Sequence, residues 1–180
     1  MVTAFVGSGG KTTLIHRYAQ KYRAEGLKVF VTTSTHMYIE QDTLVTDNAD
    51  EIIAKLNADG YAMAGTLEQK DTRKIKSLSA ETYNKVSRYA DVILVEADGS
   101  KGMPIKFPNA KEPVIYDNTD EIVVVCGLTA MGKKLKDIAF RTELVKECLG
   151  ADDETVITAA HIQTLVTKGY LEPLREKYPN

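Results

Sequence analysis

The chain has 180 residues, 43% of them hydrophobic and 27% charged, enough for one compact domain with a sizeable core. Its 23 Lys and Arg against 25 Asp and Glu leave a formal charge of -2, so no global field draws it to nucleic acid or to a membrane surface. No apolar run nears the roughly 20 residues of a membrane helix and no basic leader opens the chain, so the sequence predicts a cytoplasmic protein with no nucleic-acid or membrane partner.

Residues 1–6 form a short apolar run, read as a buried strand, that leads directly into "GSGGKTT". From Lys11 the apolar positions Leu14, Ile15, Tyr18, Ala19 and Tyr22 keep helical spacing until Gly26 supplies a stop. A β-branched and aromatic run over 27–33 makes a second strand, parallel to the first because a helix connects them. Asn48 caps a helix through "ADEIIAKLNAD", "YAMAG" reads as a short strand, and Ser79 opens the helix "AETYNKVSRYA". The runs "DVILVE" and "EIVVVC" read as strands buried on both faces. Beyond Gly132 the pattern turns helical, in "FRTELVKECLG" and then in "AAHIQTLVTKGYLEPLREKY", which Thr158 caps. This alternation predicts an α/β protein with a three-layer, P-loop NTPase-like fold and a mainly parallel central sheet. It is read as a single nucleotide-binding domain over 1–180, with its site at the strand carboxyl ends.

A bound phosphate needs converging backbone N–H groups, glycines that tolerate unusual dihedrals, a positive charge, and a hydroxyl for Mg²⁺. "GSGGKTT" offers all of these between a strand and a helix. Gly7, Ser8, Gly9 and Gly10 would wrap the phosphates, Lys11 would reach the β and γ groups, Thr12 would hold the metal, and Thr13 would meet a more distal phosphate. The common spacing G-x-x-x-x-G-K-[ST] puts Phe5 where its first glycine belongs, so this is a shortened form. It is similar in spacing to the G-T-x-G-K-[ST]-[ST] loop of Mur-type ligases. The competing reading is a strand-to-helix turn whose glycines serve packing alone. A later stretch over 127–133, "GLTAMGK", fits the common spacing better, but Lys134 stands where the metal hydroxyl belongs, so it reads as a loop after a strand.

The acid that such a loop requires comes at the end of "ILVEADG". Glu96 and Asp98 are two apart and so share one face of an extended chain. Asp98 is read as the metal or catalytic carboxylate, Glu96 as its partner, and Lys11 as the catalytic cation. Thr33, among the hydroxyls of 32–35 that end the second strand on the carboxyl side of the sheet, is read as a cofactor-binding residue, with β-propensity or a helix cap as the alternative. The proline-bearing stretch over 99–120 is long for a connection, which marks it as functional. In it Lys101 and Lys106 are candidates for an anionic ligand, and Arg141 is a weaker one, with plain solvation as the alternative. His16, His36 and His161 lack metal-ligand spacing, although His36 follows the Thr-rich strand end, and Cys126 and Cys148 read as small buried hydrophobes.

Together "VGSGGKTTL", "VTTSTHM", "ILVEADGSKGMPIKFPNAKEPVI" and "VVVCGLTAMG" resemble the YqeC family, described as accessory to selenium-dependent molybdenum hydroxylases. The resemblance runs from residue 2 to about 145, and its specific part is the central pattern around "EADGSKG". It implies a nucleotide-binding protein that assists maturation of such a hydroxylase, with Mg²⁺ and a nucleoside triphosphate, ATP or GTP, as cofactors. A molybdenum-cofactor or selenium-pathway protein would then be its client. It further implies that Glu96, Asp98 and Lys101 line the active cleft, and that relatives extend beyond the end of this chain. The alternative is a nucleotide-gated binding protein or scaffold without turnover.

Overall fold

Strand β1 (Val2–Gly7) is buried along its whole length and runs through the glycines into helix α1 (Lys11–Ala24). The computed structural model describes residues 1–178. By internal contacts the chain forms two units, one made of Met1–Phe5, Thr12–Asp98 and Val114–Val123, the other of Val6–Lys11, Gly99–Pro113 and the residues from Val124 on.

The first unit is built on a sheet. After β1 and α1 come β2 (Val29–Thr33), β3 (His36–Tyr38), β4 (Thr43–Val45), α2 (Ala49–Asp59), β5 (Tyr61–Leu67), β6 (Lys74–Lys76), α3 (Ala80–Ser87), β7 (Val92–Glu96) and, later, β9 (Glu121–Val125). The strand order is β3-β6-β5-β2-β7-β1-β9, with β4 alongside β5. The pairs β1/β7, β2/β7, β2/β5 and β4/β5 are parallel, whereas β6 pairs antiparallel with both β5 and β3. The fold is therefore α/β with a mostly parallel mixed sheet.

Strand alternation sorts the core. Val2, Phe30, Ala62, Ala64, Ile93 and Val95 face Ile52 and Leu56 of α2 and Tyr83 and Val86 of α3. Phe5, three residues from Val2 and so on the opposite face, meets Tyr18 of α1 edge-on at 5.3 Å. Both helices on the first face are capped as the sequence predicts: Asn48 accepts from the amides of Asp50 and Glu51, and Ser79 from that of Thr82.

Two expectations need correcting. Strand β9, predicted to be buried on both faces, is exposed at Glu121 and half-buried onward, because it ends the strand order and is covered on fewer sides. Strand β7, in mid-sheet, is buried throughout as predicted. The stretch over 99–120, read as one long connection, contains β8 (Ile105–Lys106), which pairs in parallel with β10 (Ala139–Phe140).

That pairing belongs to the second unit, whose other elements are α4 (Leu135–Ile138), α5 (Thr142–Leu149), α6 (Ala159–Val166) and α7 (Glu172–Lys177). Ile105, Leu135, Val145, Ile157, Ile162 and Leu165 form its core. Thr158 caps α6 as predicted, in a reciprocal box with His161, so that histidine is a helix-start residue. "GLTAMGK" is, as predicted, a loop after a strand, with a single tight turn over Leu128–Ala130. No helix among the described residues is long and apolar enough to cross a membrane.

Candidate functional site

The glycine loop is set within the second unit. Gly7, Gly9 and Gly10 have φ of 98°, 71° and 113°, a region that side-chain-bearing residues rarely adopt. A Cβ on Gly7 would lie 2.0 Å from the Val125 carbonyl oxygen, and one on Gly9 2.6 Å from Gly127 Cα and 2.7 Å from the Pro104 carbonyl oxygen. At Gly10 a Cβ would meet nothing within 4 Å. The loop thus has a backed side and an open one. Ser8 belongs to the backing: its amide donates to the Val125 carbonyl at 2.8 Å and its hydroxyl to the Pro104 carbonyl at 3.1 Å. Gly127 donates to the same Pro104 carbonyl at 2.9 Å. Lys11, 3% exposed, curls back so that Nζ donates to the Gly7 carbonyl at 2.7 Å. With the Ser8 amide committed to Val125, the backbone amides of Gly9 and Gly10, just before a helix start, are the ones suited to an anion.

The acidic strand end lies in the first unit. Register puts Phe5 of β1, Glu96 of β7 and Thr33 of β2 at one level, at the carboxyl ends of three parallel strands. Thr12 donates its hydroxyl to Glu96 Oε2 at 3.0 Å. The carboxylate brought to Thr12 is therefore that of Glu96, while Asp98, two residues on, is fully buried. Thr33 is equally buried, and its hydroxyl donates to the Glu96 carbonyl at 2.8 Å and accepts from the Thr35 amide at 3.0 Å. It serves to position Glu96. Thr13 is exposed on the first turn of α1. His36 is on β3, bonded to Glu68 at 2.6 Å, and His16 is bonded to Glu40 at 2.8 Å. A cleft of about 240 Å³, lined by His16, Arg23, Glu40, Asp42 and Tyr61, contains none of the sequence-predicted site residues.

The cationic candidates separate. Lys106, whose side chain is 0% exposed, donates to the Gly99 carbonyl at 2.7 Å and to Glu112 Oε2 at 3.0 Å. It is a buried strut rather than a solvated loop lysine. Arg141 grips the same Glu112 through both terminal nitrogens, with Nη2 2.9 Å from Oε1. Burial alone would raise the Glu112 carboxyl, but the Arg141 hydrogen bond and the charge of Lys106 outweigh it and hold it below its ordinary value. Lys101 remains exposed. Burial pushes the Cys126 thiol up to about 11, in keeping with a hydrophobe's role.

Sequence reading missed Pro104, Val125 and Gly127, which back the loop, and Glu112, which joins two cations. Gly127 had a signal, a glycine directly after a strand; the others had none.

A family model described as YqeC protein matches residues 3–143. The chain belongs to the YqeC family. Among curated proteins it is 31% identical over 140 residues to the uncharacterized protein YqeC of Escherichia coli strain K12, covering 74% of this chain and 54% of that protein. It is also 35% identical over 82 residues to the large ribosomal subunit protein eL21A of Saccharomyces cerevisiae, covering 43% of this chain and 51% of that one. The chain thus spans about half the length of the curated relatives that it matches. No solved structure matches it.

Proposed function

We propose that this YqeC-family chain binds a nucleoside triphosphate, ATP or GTP, with residues 7–13 around its phosphates, on a P-loop NTPase-like fold. The observation that carries this reading is three consecutive-region glycines at positive φ, walled on one side and open at Gly10, leading straight into α1 with Lys11 folded over the loop. A packing turn would need no open side. The neighbouring strand supports it too, since β7 pairs with β1 and ends in Glu96.

Thr12 and Asp98 are the hard oxygen donors for Mg²⁺, with Glu96, 3.0 Å from the Thr12 hydroxyl, as the partner of Asp98. When bound, the metal would offset charge on the phosphate oxygens. The chain's own part is to hold the phosphates with the amides of Gly9 and Gly10, Ser8 being committed to Val125 and Pro104, to stabilise developing charge with Lys11, and to orient the attacking group with Asp98. The acceptor is water or a bound substrate, and the service performed is maturation of a selenium-dependent molybdenum hydroxylase. A second reading, nucleotide-gated binding of a client without turnover, is favoured by the Pro104 carbonyl, which ties the loop through Ser8 to the segment 99–113.

The test is thermal unfolding of wild type and Lys11→Ala with Mg²⁺ and ATP or GTP, with released phosphate measured in parallel. At 100 times Kd a ligand adds about 2.7 kcal/mol, roughly 5 to 10 °C for a chain of this size. A shift confined to wild type is expected. Equal behaviour of the two proteins with both nucleotides would remove the reading, and a shift without phosphate release would select the gated version.

A further inference from the structure

Two non-glycine residues among those described hold a positive φ, and both are cations: Lys101 at 50° and Arg141 at 58°. Each pays a steric cost that glycine would not, and such outliers persist where something other than the backbone demands the side chain. The pairing of Phe140 with Lys106 brings their two turns to one place in the second unit. Lys101 Nζ lies 5.2 Å from the centroid of the Phe140 ring, and the Arg141 guanidinium carbon lies 4.9 Å from it. Two like charges therefore share one aromatic ring.

The local carboxylate does not balance them. Glu112 is shared between Arg141 and Lys106, and Lys101 pairs with no carboxylate among the described residues. Arg141 commits its two terminal nitrogens to Glu112, a grip that fixes the plane of the guanidinium while N–H groups remain on its other edges. A fixed fork, 22% exposed and held by Glu112, and an exposed ammonium meet at one ring, an arrangement that suits a doubly charged oxyanion better than a single carboxylate. The place is also suggestive: three residues after Lys101 comes Pro104, whose carbonyl anchors Ser8 of the glycine loop.

We propose that Lys101 and Arg141, set about Phe140, form a subsite for a phosphate dianion, the phosphate-bearing end of a small molecule that is the second substrate or product of the chain. The subsite's role in group transfer rests on the nucleotide reading above; its binding of phosphate does not.

The experiment is an amide NMR titration with inorganic phosphate, and separately with acetate and with Mg²⁺ and ATP or GTP, of wild type, Lys11→Ala and Lys101→Gly, alongside their melting temperatures. Phosphate is expected to move the Phe140 and Arg141 signals in wild type and in Lys11→Ala alike, at concentrations at least tenfold below those of acetate. Lys101→Gly should melt at or above wild type, because glycine relieves the backbone, and should lose tenfold or more in phosphate affinity at Phe140. Lys101→Asn, which tolerates the same backbone, should lose it equally and serves if the glycine variant fails to fold. No wild-type response at Phe140, an unchanged response in both Lys101 variants, or equal responses to acetate would overturn the subsite. Failure of the nucleotide reading would instead show as nucleotide-insensitive signals at Gly7, Gly9 and Gly10 with the Phe140 response intact.

Discussion

Gly7 and Gly10 share a positive φ but not a neighbourhood, and the difference is measurable. Gly10→Ala meets open space and should cost only the backbone strain of about 1 to 2 kcal/mol. Gly7→Ala must also displace the Val125 carbonyl from 2.0 Å, and should cost more than about 4 kcal/mol, in the range of a direct structural clash. Urea titrations of the two variants compare these costs, and equal values would mean that the wall behind Gly7 yields. At this scale the sequence was legible where chemistry is local. Glycines, Lys11 and Thr12 occupy adjacent letters, and Glu96 ends an apolar run. Lys106 was not legible, because lysines are ordinarily solvated and nothing nearby in sequence announces the Gly99 carbonyl and Glu112 that accept its protons.

Between residue and molecule stands the segment Gly99–Pro113, tied by Glu112 to Arg141, the residue just before α5. The carboxyl of Glu112 is held below its ordinary value of 4.5, so the folded state binds its proton less readily than the unfolded one. Its stabilising contribution is therefore complete above that value and fades as pH falls through the lower folded one. Melting temperature followed from pH 7 downward should drop more steeply for wild type than for Glu112→Gln below about pH 4.5. Parallel curves would show that the pair contributes nothing to folding. The long elements were predictable from period and caps, as Asn48, Ser79 and Thr158 illustrate. Strands β3, β6, β8 and β10 have two or three residues, too few to display a period, and exist through partners elsewhere in the chain. The exposure of β9 was hidden for a related reason, since an edge position is a property of strand order and "EIVVVC" carries no trace of it.

For the molecule as a whole, strand order sets the hierarchy of stability within the first unit. β2 is bonded in parallel to β5 on one side and β7 on the other, and all five of its residues are buried. β3 is bonded to β6 alone and exposes His36 and Tyr38. Amide hydrogen exchange should be slowest in β2 and β7 and fastest in β3; comparable protection in β3 would contradict this order. Neither unit is a continuous piece of chain, a division that no compositional boundary in the sequence marks. This gives the glycine loop an unusual history during synthesis. Ser8 must wait for Pro104, 96 residues later, before its hydroxyl has a partner. At about 5 to 20 residues per second that delay is roughly 5 to 20 s. The loop is thus finished only after the segment that backs it has been made, and whatever it holds must wait for that segment.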